Sequence, residues 1–251
     1  MSNDWRQSFQ ENVINSFIFT VQLPSTGQII KFKPIDTKTL KKLLIYEKSE
    51  DFAVVETLLD EILLSCIIEP ENFNIDNMLI FDRIFLLFEI RKMSKGESIQ
   101  TTWTCPACNS QSLQYLNFNK FKFIEYKDPE NKLIPIANNV YLELRYFTRS
   151  DQKEVNLRLQ ANPNSNRVKG AESTLNMLAA SINAYIVGDN RYENLTLDDK
   201  LEMFDALSDS VMEAIKKWHE DNRFGYDISF TYDCPHCRHK VTQSQDMLQS
   251  L

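Results

Sequence analysis

With 251 residues, 43% of them apolar and 25% charged, the chain can bury one large core or two small ones and has the make-up of a folded domain. A formal net charge of -7 argues against a nucleic-acid binder, and five glycines without a G-x-G-x-x-G or phosphate-cradling loop argue against nucleotide-dependent catalysis. The most apolar run, Ile84 to Phe88, is far too short to span a bilayer.

Residues 1–16 are polar and mixed, and the sequence predicts a frayed start. Phe17 to Leu23 reads as a strand, Pro24-Ser25-Thr26-Gly27 as a turn, and Gln28 to Lys33 as a returning strand, with Gly27 where a positive φ is needed. Asp36 or Thr37 is placed to cap a helix from Lys38 to Ser49. Its leucines 40, 43 and 44 share one face, and its lysines are read as solvated surface. Asp51 opens a second helix with Leu58, Leu59, Ile62, Leu63 and Cys66 along one stripe, so Cys66 is expected to be a core thiol. After a loop at 72–76, Met78 to Met93 is apolar on most sides and predicts a helix packed on more than one face, ended by Ser94-Lys95-Gly96.

Two turns follow the same formula. Cys105-Pro106-Ala107-Cys108 lies between strand-like segments 98–104 and 113–118, and Cys234-Pro235-His236-Cys237 between 226–232 and 240–242. Two thiols two residues apart at a tight turn grip one metal ion from the same side, and two such turns supply the four thiolates of a closed structural zinc site. The expected ligands are therefore Cys105, Cys108, Cys234 and Cys237, with His236 and His239 read as surface residues. The usual separation of the pairs is about 15–20 residues, whereas residues 109–233, 125 in all, intervene here. Spacing alone does not bring the pairs together. A thiol oxidoreductase site, a disulfide and unligated thiols are the alternatives, but neither pair opens the helix-like pattern that redox chemistry favours. Without an N-terminal charged-then-apolar leader, the expected compartment is the reducing cytoplasm.

Between the two turns, 121–126 and 140–146 read as strands, 150–160 as a helix, 162–166 as a mobile polar loop, and 172–185 as another helix. Thr196 caps what is predicted as the longest helix, with Leu197, Leu201, Phe204, Leu207, Val211, Ile215 and Trp218 stepping by threes and fours along a seam. That seam is expected to pack within the chain or, at Leu201, Phe204, Leu207, Val211, Ile215 and Trp218, against a protein partner.

The hairpin 23–34, the Lys41-Lys42-Leu43-Leu44 helix, and the run Phe81-Asp82-Arg83-Ile84-Phe85-Leu86-Leu87-Phe88-Glu89-Ile90-Arg91-Lys92-Met93-Ser94-Lys95-Gly96-Glu97 with its cysteine turn resemble the baseplate proteins of T4-like contractile-tailed phages. The resemblance covers most of residues 17–120, supported by the second cysteine pair. It implies a non-enzymatic role in building the central hub and spike of the baseplate, in the host cytoplasm, with other hub and spike proteins as partners. It brings no catalytic residues.

The sequence thus predicts an α+β chain: an N-terminal hairpin plus helices (1–96), the first half of a split zinc ribbon (97–148), an inserted helical block (149–223) and the second ribbon half (224–251). The function expected is a chaperone-like hub-assembly factor. A structural hub subunit retained in the virion is the alternative within that class; a nucleic-acid-binding zinc ribbon, with Arg238, His239 and Lys240 beside one knuckle, and a dithiol oxidoreductase lie outside it.

Overall fold

The computed structural model describes residues 8, 9, 12, 17–46, 52–161, 169–227 and 229–244. The expected frayed start, the Asp51 cap and the loop 162–166 lie wholly or largely outside these residues. Mixed α+β architecture is observed: among the described residues there are seven helices and several small antiparallel sheets, divided into two compact units. The first comprises 1–73, 84–125 and 224–251; the second comprises 74–83 and 126–223.

In the first unit, β1 (Phe19–Gln22) and β2 (Ile29–Phe32) form the expected hairpin, with Phe19 opposite Phe32 and Gly27 at φ +68°. A Cβ at Gly27 would sit 3.1 Å from the side-chain Nε2 of Gln22, so glycine suits both the backbone and the space. Helix α1 (Thr37–Tyr46) starts where Asp36 accepts a 2.7 Å hydrogen bond from the Thr39 amide. Helix α2 (Phe52–Cys66) buries Leu58, Leu59, Ile62, Leu63 and Cys66 as its periodicity requires. Burial pushes the Cys66 thiol up to about 11, which makes it an inert core group. Directly after it, β3 (Ile67–Glu69) pairs with β2, a strand the sequence pattern did not reveal.

Helix α3 (Ile80–Lys95) begins and ends two residues later than expected, and the division between the units falls within it. Leu86, Leu87, Phe88 and Ile90 are buried, and Phe88 meets Phe118 edge-on at 5.2 Å while Phe85 stacks on Tyr226 at 5.8 Å. From there β4 (Ser98–Thr104) and β5 (Gln111–Asn117) form a long hairpin, and after one 3-10 turn comes β6 (Lys122–Ile124). The same unit resumes with β11 (Gly225–Asp227), then a hairpin of β12 (Ser229–Asp233) and β13 (Lys240–Ser244).

The second unit is built on an antiparallel sheet in the order β10-β9-β8-β7. Its strands are β7 (Leu133–Ala137), β8 (Val140–Leu144), β9 (Ile182–Val187) and β10 (Asn190–Tyr192). The block from 149 to 223 is therefore not all helix. Helix α4 (Arg149–Ala161) is followed by α5 (Lys169–Ala180), which stops five residues before the expected end. Ile-Asn-Ala-Tyr-Ile-Val then runs as a strand, with Ile182 and Ala184 fully buried beside β8. A β-branched and aromatic run of this kind gains more from two neighbouring strands than from extending a helix.

The expected long helix is also two. Thr196 caps α6 (Leu197–Asp205) through a reciprocal capping box with Asp199. The chain breaks at 206–208 and restarts as α7 (Asp209–Asp221) after Ser208. Ser-Asp-Ser is itself a helix-start signal, and the three-four spacing of the apolar residues continues across it unchanged. In the core of this unit Trp218 Nε1 donates to the Asn131 carbonyl at 2.7 Å, and the Tyr146 hydroxyl donates to the Asn222 carbonyl at 2.8 Å.

Candidate metal centre

The 125-residue separation of the cysteine pairs is resolved by a ladder. Leaving the first hairpin, β6 pairs antiparallel with β11, which leads into the second hairpin: Ile124 lies opposite Gly225, Phe123 opposite Tyr226 and Lys122 opposite Asp227. Everything between is one excursion whose ends are tied at that ladder. A long loop costs little more closure entropy than a short one, so its length does not oppose the arrangement.

Each hairpin carries a cysteine turn at its tip. Thr104 pairs with Gln111 below the first, and Asp233 with Lys240 below the second. The turns repeat one another bond for bond. The Asn109 amide donates to the Cys105 carbonyl and the Arg238 amide to the Cys234 carbonyl, both at 2.8 Å. The Cys105 amide donates to Ser110 and the Cys234 amide to His239, both at 2.9 Å. Asn109 and Arg238 hold the same left-handed backbone, φ 56° and 58°. Asparagine adopts this region readily; arginine does so less often, and here it matches its counterpart in the other turn.

All four sulfurs lie within 4.8 Å of one another. Cys105 Sγ is 3.7 Å from Cys237 Sγ, and Cys108 Sγ is 3.8 Å from Cys234 Sγ. A disulfide needs about 2.05 Å, so these are thiols. Four thiolates bound at about 2.3 Å in a regular tetrahedron lie about 3.8 Å apart, and the Cys105–Cys237 and Cys108–Cys234 spacings match that edge. Residues and geometry both fit a four-thiolate metal ion.

Cys105 and Cys234 are buried, while Cys108 and Cys237 face solvent. Val241 and Tyr232 pack on the buried pair, and Trp103 approaches Tyr232 with ring centroids 6.4 Å apart. The amides of Cys237 and His236 pull the Cys234 thiol down to about 6. The Ser110 hydroxyl and amide lower Cys108. At Cys237 the His239 amide favours the thiolate, but partial desolvation and the hydrogen bonds of the three neighbouring thiols outweigh it and push the group up to about 12. Four thiolates this close repel, and a divalent cation at their centre turns the repulsion into attraction.

The seam residues are placed differently. Phe204, Ile215 and Trp218 are buried within the chain, while Leu201, Leu207 and Val211 are half-buried. The helix break puts Leu201 and Phe204 on α6 and Val211, Ile215 and Trp218 on α7, with Leu207 between them. The exposed Arg238, His239 and Lys240 surround the second turn.

A family model described as T4 bacteriophage base plate protein matches residues 14–251, nearly the whole chain. The chain belongs to that family. The match extends the resemblance seen at 17–120 through both cysteine turns and the excursion between them. Membership makes this a phage protein of the base plate or its assembly, working with other base plate proteins, and it points to a structural rather than catalytic role. No curated protein and no solved structure matches the chain. Among the described residues, no helix is long and apolar enough to cross a membrane.

Proposed function

We propose that the chain is a non-enzymatic, chaperone-like factor that assembles the central hub and spike of the base plate in the host cytoplasm, its first unit stapled by one structural Zn²⁺. The observation that carries this reading is the family match over nearly the whole length. Support for an assembly factor over a retained hub subunit comes from the long excursion between the cysteine pairs.

In this reading Cys105, Cys108, Cys234 and Cys237 hold the zinc, and a closed four-thiolate site stabilises fold without offering a position for substrate. Leu201, Leu207 and Val211, the seam residues left half-buried, are where a hub or spike protein touches α6 and α7.

Deleting the gene from the phage and examining the lysate tests the proposal. Hub formation is expected to fail and to be restored by the protein supplied in trans, with the protein absent from purified particles. Normal hubs in its absence would reject the role. Its presence in washed particles at hub stoichiometry would favour the retained subunit, and salt-dependent DNA binding would favour the nucleic-acid-binding ribbon.

A further inference from the structure

Edges of sheets are normally blunted by short length, charge, proline or a register break. Among the described residues, the other strands that border open edges follow the rule. β1 has four residues; β3 has three and is followed by Pro70; β10 has three, with Arg191 in the middle. β7 contains Pro135 and a register shift. β6 and β11 have three residues each and carry Lys122 and Asp227, while β12 and β13 carry Asp233 and Lys240.

The β4–β5 hairpin is the exception. Its strands pair over seven positions without a shift, and neither SIQTTWT nor QSLQYLN contains a charged residue or a proline. One face turns Ser112 and Leu116 inward. The other exposes Leu113 (48%) and Tyr115 (71%). Among the described residues no strand pairs with the outer edge of β5.

Ladder parity decides which backbone groups that edge offers. The bonds from the Cys105 amide to Ser110 and from the Phe118 amide to Glu97 fix those two pairs as hydrogen-bonded. Counting inward by alternation, Ser112, Gln114 and Leu116 spend their backbone groups on β4, whereas Gln111, Leu113, Tyr115 and Asn117 turn theirs outward. The outward set reads amide, apolar, apolar, amide.

That pattern is its own complement. We infer that β5 pairs antiparallel with β5 of a second copy, about a two-fold axis through Gln114. Leu113 then faces the partner's Tyr115, and Gln111 faces the partner's Asn117, each pair exchanging two backbone hydrogen bonds. Two copies of net charge -7 repel in general, and this neutral edge lets them meet without placing like charges opposite one another.

Sedimentation of the purified full chain tests the pairing with three proteins. Wild type is expected to sediment as a dimer of the 29.4 kDa chain. L113K/Y115K places lysine against lysine at both apolar pairs and should weaken the dimer roughly a hundredfold. L113K/Y115E carries charges at the same positions but sets lysine against glutamate across the axis, and should restore the dimer. Both positions are exposed, and far-UV circular dichroism checks that each variant is folded. A monomeric wild type at 100 μM, or an L113K/Y115K protein as dimeric as wild type, overturns the inference. Failure of L113K/Y115E to dimerise where wild type does overturns the register.

Discussion

The paired cysteine hairpins and the four-stranded sheet use different means to stay folded. Around the thiols the apolar cluster is small, Cys105, Cys234 and Val241 with Tyr232 against them, on two-stranded ribbons. Isolated two-stranded ribbons are marginal in water, so in the proposed reading the zinc cross-link carries their stability. The sheet β7–β10 instead buries Leu142, Leu144, Ile182 and Ala184, and its unit adds the buried Trp218 and a two-pronged Arg145–Asp151 ion pair at 2.6 Å. The proposal therefore places the failure of the ribbons at loss of the metal, and that of the sheet at loss of its packing.

The sharpest way to break that contrast is Cys105→Ser. Losing one thiolate is expected to cost the ribbons on the order of 10 kcal/mol of metal-linked stability. Hydrogen exchange should show β4, β5, β12 and β13 opening while β8 and β9 stay protected. If all six strands lose protection together, the two regions do not fail separately. Trp218→Ala runs the contrast in reverse. It should cost the second unit about 3–5 kcal/mol in denaturant unfolding and leave metal content unchanged.

Acid sharpens it further. The His219 ring stacks on Phe147 at 4.2 Å, and burial lowers its pKa from 6.5 to about 4. The unfolded chain therefore takes up this proton before the native one does. The associated stability is whole above pH 6.5 and declines as pH falls from 6.5 through 4, a loss of about 3 kcal/mol. His219→Phe should flatten that slope at the β8 and β9 amides; an unchanged slope would assign it to other groups. The smallest effect belongs to Thr196→Ala, which removes one half of the α6 capping box and should cost about 1 kcal/mol in thermal unfolding.

What the sequence made legible was local chemistry. Gly27 in its turn, the buried stripe of α2, the Thr196 cap and both cysteine turns depend on residues a few positions apart. The four-cysteine cluster was legible in its parts, but its meeting depends on the β6–β11 ladder, a pairing 101 positions long between Ile124 and Gly225 that no local pattern signals. β7 was hidden by Pro135, which marks an edge strand as readily as a loop. The expected helix 172–185 overlaps the first part of β9, where Leu178, Ile182 and Tyr185 fit three-four spacing as well as a strand, and pairing with β8 decides for the strand. A second capping box, between Thr148 and Asp151 at the start of α4, carries the same T-x-x-D signal as Thr196 and was open to the same argument.

Metal analysis of the purified chain asks whether the four cysteines share one ion. One zinc per chain is expected in the wild type, falling to well under one in Cys105→Ser and equally in Cys234→Ser, because both turns serve the same ion. A metal-free wild type, or one zinc retained after either substitution, would contradict a shared ion.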